Sequence, residues 1–259
     1  MYKLTSCVSP IYIGTDRSKN SLVEWIETNL ILGVEFFTIY VHNISASDMK
    51  IIEYYEDLKR VEIVNWILAE DKVKQTDRPA LEDNHYFAQV AALNDCLYRN
   101  KGRSELTMTT DLDELILPTH QQNYTIKDMI DRVPNQGIYS FRNSYHPTDT
   151  NHTAHPKVKE YDFSVKMIDL FTRSRQRMRP KFLSKMIFKP SAIFSIDVHM
   201  PHRTLNNTGV HHVDPMIGFL HHYRSDRSRG QLLEDRTTEK YLDKVLANMN
   251  TTFTAIGKT

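Results

Sequence analysis

The chain has 259 residues, 40% of them hydrophobic and 25% charged, with a formal net charge of +1. These values are ordinary for a soluble globular protein and give no reason to expect nucleic acid or a membrane surface as partner. No run approaches the roughly 20 apolar residues that cross a bilayer, and the opening MYKLTSCVSP lacks the apolar core of a secretory leader.

The first half alternates strand and helix patterns. LTSCVSPIYI is β-rich and interrupted by Pro10, a strand running into a loop. Leu22, Val23, Ile26 and Leu30 recur at helical spacing, with Ser18 or Ser21 as cap and Gly33 as stop. FFTIYV reads as a buried strand, and Ser45 and Asp48 are spaced as in a capping box before a second helix through Ile51, Ile52, Tyr55 and Leu58. VEIVNWIL is a third strand. A polar loop from Glu70 to Pro79 leads to a long helix over 81–100, then ELTMTTD makes a fourth strand. This order predicts a parallel α/β sheet.

Beyond Asp128 strand-like runs dominate: GIYSFRNSY, YDFSVKMIDLF, KFLSKMIFK, AIFSIDVHM and MIGFLHHYR. A closing helix carries Tyr241, Leu242, Val245, Leu246 and Met249 on one face. With no linker in view, the expectation is one domain over 1–259, an α/β nucleotide-type half at 1–118 and a β-rich half at 119–259. Cys7 and Cys96 are too few for a disulfide framework; two buried thiols are expected, with a single bridge as the alternative. Sequons begin at Asn43, Asn123, Asn151, Asn206 and Asn250, an excess that tilts towards a lumenal domain.

The chemistry concentrates at TMTTDLDELILP. Asp111 and Asp113 share one face of an extended segment, about 6.6 Å apart along the backbone. At an effective dielectric near 20 their repulsion is roughly 2–3 kcal/mol, which a cation between them would relieve. Hard divalent ions, Mn²⁺ or Mg²⁺, take such oxygen ligands, and open α/β sheets gather ligands at the carboxyl ends of their strands. In surface loops a D-x-D triplet is usually a pair of solvated acids; here an apolar strand delivers it. Half of the twelve histidines fall between His199 and His222.

LVEWIETNLILGVEFFTIYVHNISASD, AQVAALNDCLYR, TDLDELILP, SKMIFKP and LHHYR, in this order, resemble glycosyltransferase family 92 over nearly the whole chain. The resemblance implies a GT-A-type nucleotide-diphospho-sugar transferase fold, a mixed central sheet flanked by helices with a β-rich C-terminal half. It further implies transfer of galactose from UDP-galactose, with inversion, to a glycan on a glycoprotein or glycolipid. Asp113 would bind Mn²⁺ directly, Asp111 would reach the metal or the ribose, and His222 would be the third ligand, with His221 on the opposite strand face. His199 matches a further family histidine, in an acceptor or structural role.

Pro10, Asn43, Asn94, Asp95, Asp111 and Lys185 are the expected nucleotide contacts. Lys185 and Lys189 share a strand face, and Arg173, Arg175, Arg177 and Arg179 would share another if extended. The catalytic base stays open among Glu114, Glu160, Asp162, Asp197 and Asp214, and the acceptor region is expected around 146–157. Relatives of this kind carry an N-terminal anchor and act in the Golgi lumen, which is the expected location; membrane association would come only through an anchor not visible in this chain. A metal-dependent phosphodiester or nucleotide hydrolase and an inactive carbohydrate-binding member are the competing functions.

Overall fold

The computed structural model describes residues 1–12, 19–68, 85–119, 125–150, 152–225 and 230–257. The loop at 70–79, the first residues of the helix expected from 81, the Ser18 cap and the sequons at Asn123 and Asn151 lie outside these residues.

The first half folds as its periodicity predicts. Strands β1 (Tyr2–Ile11), β2 (Phe36–Val41), β3 (Val61–Asn65) and β4 (Ser104–Thr110) are parallel in the order β4-β1-β2-β3. Every residue of β2 is buried, so the strand is apolar throughout rather than alternating. Helices α1 (Lys19–Ile31), α2 (Ala46–Asp57) and α3 (His85–Asn100) join them. Ser45 caps α2 by accepting from the Asp48 amide.

The expected acidic turn follows β4 and leads into β5 (Glu114–Pro118) and the short α4 (Ile126–Ile130). GIYSFRNSY is two strands, β6 (Ile138–Phe141) and β7 (Asn143–His146), in different sheets. Then come β8 (Thr172–Ser174), β9 (Lys185–Phe188), β10 (Ile193–Ile196), β11 (Pro201–Thr204), β12 (His211–His212), β13 (Gly218–Tyr223), β14 (Leu232–Glu234) and the closing α5 (Leu242–Ile256). Strand β9 runs antiparallel between β4 and β6, extending the central sheet to β12-β6-β9-β4-β1-β2-β3. A second sheet, β5-β13-β7, stands beside it. The mixed sheet flanked by helices is the architecture that the resemblance implied, and one apolar cluster runs through both halves, from Leu4 to Met249. Gly218 opens β13 where a Cβ would meet the Met129 sulfur at 2.3 Å, so any larger residue there would have to displace the Met129 side chain.

Three expectations are corrected. YDFSVKMIDLF is not a strand: the buried Glu24 carboxylate on α1 accepts from the Lys166, Met167 and Ile168 amides at 2.7–2.8 Å, which satisfies that backbone without a ladder. The arginines from 173 to 179 do not form one basic row: Arg173 pairs with Asp235 at 2.6 Å, Arg175 bonds to Gln231, and Arg177 lies over the Phe219 ring. Cys7 and Cys96 are bridged rather than free, because α3 packs on β1 with their Cα atoms 5.9 Å apart.

One face of β13 carries Phe219, His221 and Tyr223, stacked with His146 of β7. Both histidines are buried, and their ring nitrogens lack well-formed hydrogen bonds, only the Leu170 backbone offering His146 a weak contact. Burial lowers both, His221 to about 4.

Two predictions follow from these packing facts. Closing a loop of 89 residues confers about 4–5 kcal/mol on the chain-entropy account, so reduction or Cys96→Ser should cost most of that in urea unfolding. An imidazole near 6.5 when unfolded and about 4 when folded binds its proton preferentially in the unfolded chain. Stability is then full above pH 6.5 and falls as pH drops towards 4, by roughly 3 kcal/mol for His221. Glu24, raised to about 7 by burial, acts in the opposite sense over the same range, so the contrast must be read against a variant. His221→Phe should lose less thermal stability than the wild type between pH 7 and 4.

Candidate active site

The carboxyl end of β4 lies beside that of β1, its parallel neighbour, where Val8 is in register with Thr110. This is a switch point of the sheet, since β2 and β3 leave β1 on one side and β4 joins on the other. The next residues out are Ser9 and Asp111. Ser9 Oγ donates to Asp111 Oδ1 at 2.5 Å, and Gln89 from the first turns of α3 donates to Ser9 Oγ at 2.6 Å and to the same carboxylate oxygen at 3.3 Å.

Lys185, 1% exposed, approaches from β9 beneath the acids. Its ammonium donates to Asp111 Oδ2 at 2.8 Å and lies 3.3 Å from Glu114 Oε2. Burial works against its charge, but Asp111 and Glu114 outweigh that and raise its pKa. The lysine expected to face a diphosphate thus lies under the acidic turn.

Glu114 is equally buried and folds back on its own turn. Its amide donates to the Asp111 carbonyl at 3.1 Å, and its Oε2 accepts from the Asp111 amide at 2.9 Å. The Trp25 indole of α1 donates to the Glu114 carbonyl at 2.9 Å. Burial, followed by Asp111 and Asp113, raises the Glu114 pKa against the opposing pull of Lys185 and His222.

Asp113 is the acid left facing outward, 39% exposed at its side chain. Its carbonyl accepts from the Tyr223 amide at 2.8 Å, which continues the β5–β13 ladder into the turn and fixes its height relative to His222. His222 Nε2 stands 3.4 Å from Asp113 Oδ2, beyond a good hydrogen bond, and is buried without another partner. On the other side Nδ1 meets the Asn143 amide at 3.0 Å and Glu114 Oε1 at 3.4 Å. Burial lowers the His222 pKa, but the Asp113 contact and the charges of Glu114, Asp113 and Asp111 raise it overall. His221, as alternation requires, faces away.

These residues suit a divalent cation. Asp111 and Glu114 share one buried ammonium, Asp113 has none, and beside Asp113 stands a buried imidazole nitrogen with no bonded partner. Asp113 and His222 are the side chains that would hold it; both Asp111 oxygens are already engaged by Ser9, Gln89 and Lys185.

The remaining expected contacts are spread over β1, the turn after β2, and α3. Pro10 is buried just past Ser9, and Asn43 is exposed in the turn after β2. Asn94 uses both ends of its amide on the Ile196 backbone, and Asp95 accepts from Tyr40 and Arg99; the hydrogen bonds of both go to the scaffold. Lys189 bonds to Asn135, and His199 meets the Ser184 carbonyl. Ser9, Gln89 and Asn143 escaped sequence reading because each is a common polar residue without a motif. Pairing β1 in parallel with β4 would have placed Ser9 beside Asp111.

Residues 2–257 match the profile of the family described as "Glycosyltransferase family 92". "Beta-1,4-galactosyltransferase galt-1" of Caenorhabditis elegans is 26% identical over 231 residues, covering 87% of this chain and 49% of that protein. "Glycosyltransferase family 92 protein F13G3.3" of the same organism is 27% identical over 210 residues, 79% of this chain and 39% of the relative. The chain therefore spans about half or less of the curated relatives it matches. Among solved structures, Staphylococcus aureus TarS 1-349 aligns over 98% of this chain and 72% of its own, at 13% identity and a TM-score of 0.39. A putative glucose-1-phosphate thymidylyltransferase from Bacillus anthracis, in complex with a sucrose, covers 95% of this chain and 99% of its own, at 10% identity and a TM-score of 0.36. Neither likeness is close enough to carry an inference. The sequence profile, matched almost end to end, is sufficient: the chain belongs to glycosyltransferase family 92.

Proposed function

We propose that this chain carries the catalytic site of a metal-dependent transferase that moves a hexose, of the galactose type, from a UDP-sugar to a glycan acceptor with inversion. The observation that carries the reading is the facing pair Asp113 and His222 at the carboxyl end of β4, backed by a buried lysine. Its donor follows the name of the first relative, a galactosyltransferase.

A bound Mn²⁺ or Mg²⁺ would supply Lewis-acid stabilisation of the negative charge that grows on a departing diphosphate. The chain's own contribution is preorganisation. Lys185 and Glu114 hold the turn so that Asp113 faces outward, and Ser9 and Gln89 fix Asp111 at the neighbouring corner. Glu114 is enclosed by these contacts, so its part is to shape the turn rather than to accept a proton from an acceptor hydroxyl. Asp197 and Asp214 each accept from a nearby backbone amide, of Val198 and of Met216. Inversion requires a carboxylate base, which we leave unassigned.

The proposed location is the lumen of the secretory pathway, of which the Golgi is the compartment that the family resemblance implies. A disulfide at Cys7–Cys96 and sequon asparagines exposed at Asn43, Asn206 and Asn250 support it. No helix among the described residues is long and apolar enough to cross a membrane.

The test is UDP release and glycan product formation from a panel of UDP-sugars with Mn²⁺, with and without glycan acceptors. Transfer should require metal and acceptor, and Asp113→Asn should cut turnover by at least about 100-fold while leaving the fold intact. Unchanged turnover in that variant refutes the metal assignment, and nucleotide release indifferent to acceptor favours a hydrolase. Lys185→Met, which strands two acids, should lower unfolding stability by about 3–5 kcal/mol as well as activity, measured by urea titration.

A further inference from the structure

Residues 179–183 form a short loop pinched at its neck by one residue, Asn143. The Met178 amide donates to the Asn143 carbonyl at 2.8 Å, and Asn143 Nδ2 reaches back to the Leu183 carbonyl at 3.3 Å. The same Nδ2 is 3.0 Å from His222 Nδ1. Past the neck, Ser184 is buried and its carbonyl meets His199, and Lys185 enters the acidic cluster. The loop therefore rises from the wall of the candidate site.

At its tip the Phe182 ring is 59% exposed. The residues on either side hold left-handed backbone, Lys181 at φ +72° and Leu183 at φ +50°. Neither is glycine, and both side chains oppose that conformation. The Phe182 amide bonds to the Arg179 carbonyl at 3.1 Å, which closes the turn. Strained backbone that keeps a large apolar ring in water is seldom explained by stability, and such strain clusters at ligand sites. Arg179 and Lys181 are exposed in the same turn, so the ring has charged sequence neighbours.

We propose that Phe182 is a specificity-determining residue that stacks on the apolar face of a pyranose ring of the acceptor. The inference rests on the transferase reading above and adds to it a subsite. The choice of acceptor over donor comes from topology. The nucleotide crevice lies between β1 and β4, whereas β9 and the loop before it stand on the far side of β4. A sugar gripped at the Asp113–His222 pair then has β1 on one side of β4 and β9, with the loop that carries Phe182, on the other. An aromatic face offers C–H-rich pyranose surfaces a large contact with little ordering of its own, while hydroxyls at the ring edge stay hydrated.

The experiment compares wild type, Phe182→Ala and Phe182→Tyr with UDP-galactose, Mn²⁺ and methyl glycosides of common hexoses and N-acetylhexosamines as acceptors. Phe182→Ala should raise acceptor KM roughly tenfold with UDP-galactose KM held within about twofold, and Phe182→Tyr should restore the wild-type value. Saturation-transfer NMR with the same glycosides reads the stacking without turnover. Signals from one face of the sugar should be strong in wild type and in Asp113→Asn, and lost in Phe182→Ala. If wild type binds glycosides in this way but transfers nothing, the transferase reading fails and the subsite stands. The proposal is overturned if no glycoside gives a signal, if Phe182→Ala leaves both readouts unchanged, or if UDP-galactose KM rises as much as acceptor KM.

Discussion

The site is organised around a single buried ammonium. Lys185 bridges Asp111 and Glu114, and without it these two acids would face each other with no ammonium between them. Burying any of these groups singly is expensive, and burying them together is tolerable only because each charge meets a partner of opposite sign. The consequence is directional. One positive charge cannot balance three acids, so the remainder appears at Asp113, the acid on the open side, next to an imidazole nitrogen with no bonded partner. The arrangement leaves Asp113 as the acid without an ammonium partner, which is why the proposed cation is assigned to it.

Elements distant in sequence are needed to hold that arrangement. The first strand supplies Ser9, α3 supplies Gln89, β9 supplies Lys185, β13 supplies His222, and α1 pins the start of β5 through Trp25. The antiparallel insertion of β9 between β4 and β6 matters most. It carries a residue of the second half directly under an acidic turn made by the first, which explains why the two halves share one apolar cluster. The match to glycosyltransferase family 92 likewise spans both halves, over residues 2–257.

Much of this was legible in the residues. The alternation of strand and helix periods gave the parallel half, since β1, β2 and β4 are largely buried apolar runs and α2 carries Ile51, Ile52 and Tyr55 on its buried side. An apolar strand ending in D-L-D-E marked the site because uncompensated charge at a strand end is costly without a purpose. The opposed directions of His221 and His222 followed from strand geometry alone. What failed did so for nonlocal reasons. YDFSVKMIDLF has strand composition, but Glu24, far away on α1, supplies acceptors that replace a ladder. Lys185 looked like a phosphate contact because its spacing cannot reveal which face of β9 is covered. Nothing in two isolated cysteines shows that α3 will lie against β1.

That last contact joins matters otherwise separate. Cys7 lies two residues before Ser9, and Cys96 lies on the same helix as Gln89, so the bond ties together the two elements that grip Asp111. The span of that grip is thus set covalently as well as by packing. Formation of that corner of the candidate site is thereby linked to closure of the bond, and a polypeptide kept under reducing conditions must assemble the same corner through noncovalent contacts alone.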